Sequence, residues 1–71
     1  MGIDKLLDVM QQLREKCPWD QAQTPQSLTP YAIEEAYEVA EAVHAGEVQH
    51  VCEELGDLLL QVVFQAQMFS E

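Results

Sequence analysis

The last third of the chain, from Glu47 onward, is the part that most constrains the fold. Its polar side chains recur at spacings of three and four residues, which places them on one narrow stripe of an α-helix. The members of this stripe are Glu47, His50, Glu54, Asp57, Gln61 and Gln65. Nearly every other residue from Val51 to Phe69 is apolar. Because such a helix must be covered by neighbours on several sides, the segment predicts an all-α helical bundle.

A first amphipathic helix is predicted near the start of the chain. It begins at about Asp4, a residue type that caps helices well, and it runs to Lys16. One face carries an apolar stripe of Ile3, Leu6, Leu7, Met10 and Leu13. The following residues, 17–27, contain two prolines and mostly polar side chains, so they are predicted to form a loop.

The second long helix is predicted to begin near Ser27 or Thr29, with Pro30 tolerated in its first turn, and to end at Gly46. A third helix follows from about Glu47, and the short turn between them makes an antiparallel hairpin. A chain of 71 residues forms at most one small domain, and three helices cannot cover the apolar third one. We therefore expect a helical bundle that is completed by self-association, as a homodimer or homotetramer.

Charge and cysteine content limit which partners and which cell compartment are expected for this domain. Thirteen acidic residues stand against three basic ones, Lys5, Arg14 and Lys16, and the formal net charge is −10. Such a surface disfavours nucleic acid and anionic membranes, since both bind basic patches. The longest apolar stretch is interrupted by glutamines and is too short to span a membrane. Cys17 and Cys52 lie in no metal-binding or disulfide pattern, so we expect reduced thiols in a cytoplasmic protein.

Two carboxylate pairs provide the strongest functional signal. Glu35 and Glu38 lie three residues apart in the second helix, and Glu54 and Asp57 do so in the third, so each pair shares a helix face. Glu38 precedes Gly46 by eight residues and Glu54 follows it by eight, so the hairpin is expected to hold the pairs at matching heights. Four carboxylates brought together require a cation, and oxygen ligands suit hard ions such as Mg²⁺ or Ca²⁺.

Two other interpretations of the acidic residues stay open. A run of glutamates on a helix is often only a solvated face, although few lysines or arginines here could pair with it. Glu41 and His44, and likewise Glu47 and His50, have the Glu-x-x-His spacing of di-iron carboxylate bundles. Both of these pairs flank the turn, however, whereas a di-iron site lies in the middle of its bundle.

The acidic segments and their surroundings resemble the MazG nucleoside triphosphate pyrophosphohydrolase family. The resemblance rests on CPWDQAQTPQSLTPYAIEEAYEVAEAV at 17–43 and CEELGDLLLQVVFQAQM at 52–68, and it spans essentially the whole chain. The family pattern EExxE followed by ExxD appears as Glu34-Glu35-Ala-Tyr-Glu38 and Glu54-Leu-Gly-Asp57. EExxE alone is weakly specific, whereas its combination with CPWD, QT and EELGDLL is highly specific.

The resemblance implies an all-α fold that assembles as a dimer or a higher oligomer. It also implies hydrolysis of NTP or dNTP to the monophosphate and pyrophosphate, a reaction that depends on Mg²⁺, with Mn²⁺ as an alternative ion, and that clears nucleotide pools. The bond cleaved joins the α and β phosphates. Metal ions can shield a triphosphate from an acidic site and activate a water, which we expect to attack the α-phosphorus.

Carried over residue by residue, the resemblance assigns metal binding to four carboxylates, those of Glu35, Glu38, Glu54 and Asp57. Glu38 is also a catalytic candidate. The second catalytic candidate is Glu34, which matches the first glutamate of EExxE and would either support the ligands or act as the base that orients a water.

Substrate contacts are expected from Trp19, Arg14 and Lys16. Trp19 would either stack on a ligand base or cover the end of the bundle. Family domains usually continue into a further helix with basic residues, so other phosphate contacts would come from a neighbouring subunit or from a longer chain. In the second case the single domain, residues 1–71, is truncated at its C-terminus. The alternative function is then a catalytically silent oligomerisation or nucleotide-binding module of a longer MazG-type protein.

Overall fold

The computed structural model describes residues 2–71 and consists of four α-helices. These are α1 (Gly2–Lys16), α2 (Pro18–Ala22), α3 (Pro25–Ala45) and α4 (Val48–Ser70). No β-strand occurs within the described range. The predicted all-α class is therefore confirmed, with one helix more than expected.

Helix α1 corresponds to the first predicted helix and begins two residues earlier, at Gly2. Its apolar stripe contacts the core through Met10, which is buried, and Leu6, which packs beside it. Leu7 and Leu13 on the same helix are more than one-third exposed. The single chain therefore covers only part of the predicted stripe.

The prediction of a loop over residues 17–27 is wrong. Residues 18–22 form the short helix α2, and α3 begins at Pro25, earlier than the predicted start. A reciprocal cap accounts for the early start of α3: Thr24 Oγ1 accepts a hydrogen bond from the Ser27 backbone N–H at 3.1 Å, and Ser27 Oγ accepts one from the Thr24 N–H at 2.9 Å. Pro25 fits the first helical position because no intrahelical partner is needed for its missing N–H.

Pro30 consequently lies inside α3 and not in its first turn, as had been predicted. A proline at this position cannot donate to the carbonyl of Gln26, four residues before it. The hydroxyl of Thr29 donates to that carbonyl instead, at 3.0 Å. This local replacement allows the helix to continue through the proline.

Gly46 ends α3 as predicted, with φ 73° and ψ 18°, a left-handed conformation that favours glycine. Its N–H is 3.1 Å from the carbonyl oxygens of both Ala42 and Val43. The chain then reverses, and α3 and α4 pack against each other along the predicted antiparallel hairpin. At the other end, Gln65 Nε2 donates to the Pro25 carbonyl at 2.9 Å and ties α4 to the start of α3.

The apolar core lies at the end of the hairpin that is remote from the Gly46 turn. Its buried members come from α1, the start of α3 and the second half of α4: Met10, Leu28, Val63, Phe64 and Met68. Glu35, Glu38 and Glu54 do not belong to this core. No helix in residues 2–71 combines the length and apolar character that crossing a membrane requires.

One side of α4 remains uncovered over its whole length. The residues concerned recur at alternating spacings of four and three, and all are exposed: Val48, Cys52, Leu55, Leu59, Val62, Ala66 and Phe69. We call this set the α4 seam. Its exposure is large for apolar side chains, and Phe69 at one end is 76 % exposed.

Candidate metal centre

Three carboxylates converge where α3 faces α4. Glu35 and Glu38 from α3 and Glu54 from α4 can each place one oxygen within 4.8 Å of an oxygen of the other two. The pair on α3 shares a face because its members are three residues apart. Glu54 meets them because it lies as far after Gly46 as Glu38 lies before it. We call these three residues the acidic cluster.

Burial leaves two oxygens of the acidic cluster without a partner. Glu35 Oε2 and Glu54 Oε2 are buried, and while the three carboxylates are ionised neither accepts a hydrogen bond from any residue in 2–71. The one ion pair formed by a lysine or arginine within that range joins Arg14 to Glu71, outside the cluster. A buried, unpaired polar atom costs about 1–3 kcal/mol, and more when it is charged. A hard cation would provide the missing contacts, so the donor set fits a divalent ion such as Mg²⁺.

The three carboxylates also perturb each other's protonation. When Glu38 is protonated it can donate to Glu54, and this contact, followed by burial and the charge of Glu35, raises the pKa of Glu38 to about 7. Burial is the main cause that raises the pKa of Glu35, with a hydrogen bond to Glu54 second. The pKa of Glu54 is lowered, first by the hydrogen bond from Glu38. Near neutral pH the cluster therefore holds a proton that a cation can displace.

Asp57, the fourth predicted metal ligand, lies outside the acidic cluster. Its side chain is exposed, three residues beyond Glu54 on α4. Its negative charge nevertheless contributes to the raised pKa of Glu35, so it lies near the cluster. Three of the four predicted ligands are thus brought together, and the fourth is at the exposed edge. Glu34 is likewise exposed, and its charge contributes to the raised pKa of Glu38.

Arg14 lies far from the acidic cluster within one chain. Its guanidinium donates to Glu71 through Nε at 2.8 Å and Nη2 at 2.6 Å, and through Nη1 to the backbone carbonyls of Asp20 and Gln23. Glu71 follows Glu54 by 17 residues, so about 25 Å of helix separates them. The arginine therefore fixes the α2 segment to the end of α4, a long-range contact that helical periodicity does not reveal.

Trp19 and Lys16 belong to the same remote end. Trp19 lies edge-on to Phe64, with ring centroids 6.5 Å apart and planes at 78°, and it remains 56 % exposed. One edge of the ring thus covers the core, while the rest is accessible. Lys16 is exposed at the last position of α1. The structure brings neither residue next to the acidic cluster of its own chain.

His50 contacts the acidic cluster, and this contact was not anticipated from the sequence. Its Nε2 lies 3.1 Å from Glu54 Oε1, and its Nδ1 lies 3.8 Å from Glu47 Oε2. The available signal was the i,i+4 spacing of His50 and Glu54 on the polar stripe. Neither His50 nor the exposed His44 belongs to the set of converging ligand atoms in residues 2–71, which are all carboxylate oxygens. The geometry therefore lends no support to the di-iron interpretation.

Comparison with known proteins identifies relatives of the segment that carries this cluster. A family model described as the MazG nucleotide pyrophosphohydrolase domain matches residues 23–71. A protein of Escherichia coli K12 named nucleoside triphosphate pyrophosphohydrolase is 50 % identical over 97 % of this chain and 27 % of its own length. A Thermotoga maritima protein named nucleoside triphosphate pyrophosphohydrolase/pyrophosphatase MazG is 50 % identical over 97 % of this chain and 28 % of its own. A Mycobacterium tuberculosis protein named nucleoside triphosphate pyrophosphohydrolase is 47 % identical over 96 % of this chain and 22 % of its own length. The chain thus spans about a quarter of the length of these relatives.

Proposed function

The chain belongs to the MazG nucleotide pyrophosphohydrolase domain family, and on this premise we propose that it hydrolyses nucleoside triphosphates, NTP or dNTP, to the monophosphate and pyrophosphate. The observation that carries the proposal is the acidic cluster, which lies within the matched residues and holds two buried oxygens without a partner. The names of the relatives support the same reaction. Clearance of unwanted nucleotides from the cellular pool is the corresponding role.

We propose Mg²⁺, with Mn²⁺ as an alternative, as the ion that the acidic cluster binds, with Asp57 completing the ligand set from the edge. Carboxylates alone, without sulfur or nitrogen ligands, favour hard ions of this kind. A bound divalent ion supplies charge neutralisation for the triphosphate and a water of lowered pKa. The residues of the chain contribute a fixed set of oxygens, and Glu38 releases its proton when the cation arrives.

Glu34 and Glu38 are the proposed catalytic residues. Glu38 belongs to the acidic cluster, whereas Glu34 is exposed beside it and is free to orient a water as a base. Trp19, Lys16 and Arg14 are proposed as substrate contacts of a second subunit, because about 25 Å of α4 separates the Arg14 end from the cluster of the same chain.

Self-association is the remaining part of the proposal. The alternating spacing of the α4 seam over three heptads is typical of a helix that packs lengthwise against another helix. If two copies instead paired through their acidic clusters, like charges would be brought together. A second copy of the hairpin, paired along the seam, therefore gives a homodimer, and two such dimers give a tetramer. The cytoplasm is the proposed location, since both cysteines are free thiols.

One observation favours the alternative, a catalytically silent nucleotide-binding or oligomerisation module. Arg14, a main candidate for phosphate binding, is already engaged by Glu71 and two backbone carbonyls. Incubation with each of the eight common NTPs and dNTPs, with Mg²⁺ and then with EDTA, separates the two functions. An active domain releases pyrophosphate only with Mg²⁺, whereas a silent module binds nucleotide and releases none. Release of inorganic phosphate instead of pyrophosphate would contradict the proposed bond cleavage.

A further inference from the structure

We propose that His50 is a positioning residue that selects which oxygen of Glu54 faces the cation. The inference rests on the proposed function of the acidic cluster and adds a residue that lies outside the EExxE and ExxD pattern. His50 Nε2 and Glu54 Oε1 are 3.1 Å apart, which is a normal hydrogen-bond distance. The other ring nitrogen is 3.8 Å from Glu47, too far for a hydrogen bond. The hydrogen bond of the ring is therefore directed to Glu54.

This hydrogen bond divides the two oxygens of Glu54 between different tasks. Oε1 accepts from the imidazole, while Oε2 is buried and accepts from no residue within 2–71 when the neighbouring carboxylates are ionised. A free carboxylate rotates readily, because its terminal torsion has a broad and shallow energy profile. Anchoring Oε1 restricts that rotation and keeps Oε2 available for a cation. Hydrogen bonds from neighbouring side chains orient the ligands of metal sites in the same way.

The position of His50 suits this task and leaves it outside the ligand set. Its side chain is 46 % exposed, whereas that of Glu54 is 13 % exposed, so the ring is the more accessible partner of the pair. His50 is a hydrogen-bond donor beside three carboxylates, and no lysine or arginine of residues 2–71 forms an ion pair with any of them. A neutral imidazole with its proton on Nε2 donates as required, so the role needs no change of charge.

The test measures Mn²⁺ binding directly, by isothermal titration at pH 8, in the protein and in three variants. His50→Ala removes the donor, and His50→Gln retains an amide donor at the same position. His44→Ala is the matched control, because His44 also follows a glutamate by three residues and is also exposed, but it forms no hydrogen bond or ion pair within the described residues. We expect the dissociation constant to rise about tenfold in His50→Ala, to stay within about threefold in His50→Gln, and to be unchanged in His44→Ala.

Each outcome has a distinct meaning. Unchanged Mn²⁺ affinity in His50→Ala would overturn the positioning role while leaving the proposed function intact. An equal loss in His50→Gln and His50→Ala, with helix content preserved in both, would also overturn it, because restoring the donor should restore the affinity. No saturable Mn²⁺ binding in the unsubstituted protein would contradict the proposed function itself.

Discussion

The carboxylates of Glu38 on α3 and Glu54 on α4 face each other across the hairpin, within 4.8 Å, and their pKa values move in opposite directions. Glu38 keeps its proton up to about pH 7 and can donate it to Glu54. A proton and a divalent cation therefore compete for the same oxygens. This competition connects the fold of the hairpin with its proposed chemistry, because the contact exists only when both helices are in register.

Stability without metal should decrease as the pH rises from 5 to 8. The pKa of Glu38 is about 7 in the folded chain, whereas its ordinary value is 4.5. Protonation of Glu38 therefore favours folding. This contribution to stability is complete below pH 4.5 and is lost as the pH rises through 7. The measurement is the melting temperature in EDTA at pH 5 and pH 8. Because general repulsion among carboxylates acts in the same direction, Glu38→Gln is the control. The pH difference should shrink in this variant, and an undiminished difference would contradict the assignment to Glu38.

Leu59→Glu should dissociate the proposed dimer. Leu59 lies in the middle of the α4 seam, where a charge facing the same helix of a second copy would be buried without a partner. Sedimentation equilibrium should give at least twice the chain mass for the protein and one chain mass for the variant. Gln49→Glu is the matched control, since it adds the same charge at an exposed position of α4 outside the seam. A dimer that persists in Leu59→Glu would exclude the seam as the interface.

Gly46, in the turn before α4, and Gly56, within α4, should respond to alanine in opposite ways. Gly46→Ala should lower the free energy of unfolding by about 1–2 kcal/mol, because φ is 73° there and an alanine is strained in that region. Gly56→Ala should raise it by about 0.5–1 kcal/mol, because Gly56 is helical and an added Cβ has no neighbour within 4 Å. Urea titration measures both. Equal effects of the same sign would show that the Gly46 turn does not depend on a left-handed residue.

The parts of the structure that follow local rules were predictable from the sequence. Gly46 indicated both the turn and the antiparallel hairpin, and its equal distance from Glu38 and Glu54 indicated that they meet. Residues 17–27 could not be predicted from proline content alone, because Pro18 and Pro25 each lie at the start of a helix where a loop was expected.

Long-range contacts, and which side chains of one helix face the neighbouring helix, could not be derived from local sequence rules. Arg14 and Glu71 are 57 residues apart, and nothing in helical periodicity connects them. Asp57 satisfies the same i,i+3 rule as Glu35 and Glu38 but lies outside the cluster. The rule places two residues on one face and does not decide which of them faces the neighbouring helix.

The most direct test of the proposed activity is pyrophosphate release by Glu38→Gln beside Glu41→Gln. Both variants replace a glutamate of α3 with its neutral amide, but Glu38 belongs to the acidic cluster and Glu41 is exposed outside it. Pyrophosphate release from nucleoside triphosphates should be measured at saturating Mg²⁺, with EDTA as the blank. We predict that Glu38→Gln loses at least about 100-fold in rate, in line with the loss of a catalytic carboxylate, while Glu41→Gln stays within twofold of the unsubstituted protein. Equal Mg²⁺-dependent release by Glu38→Gln and the unsubstituted protein would contradict the account.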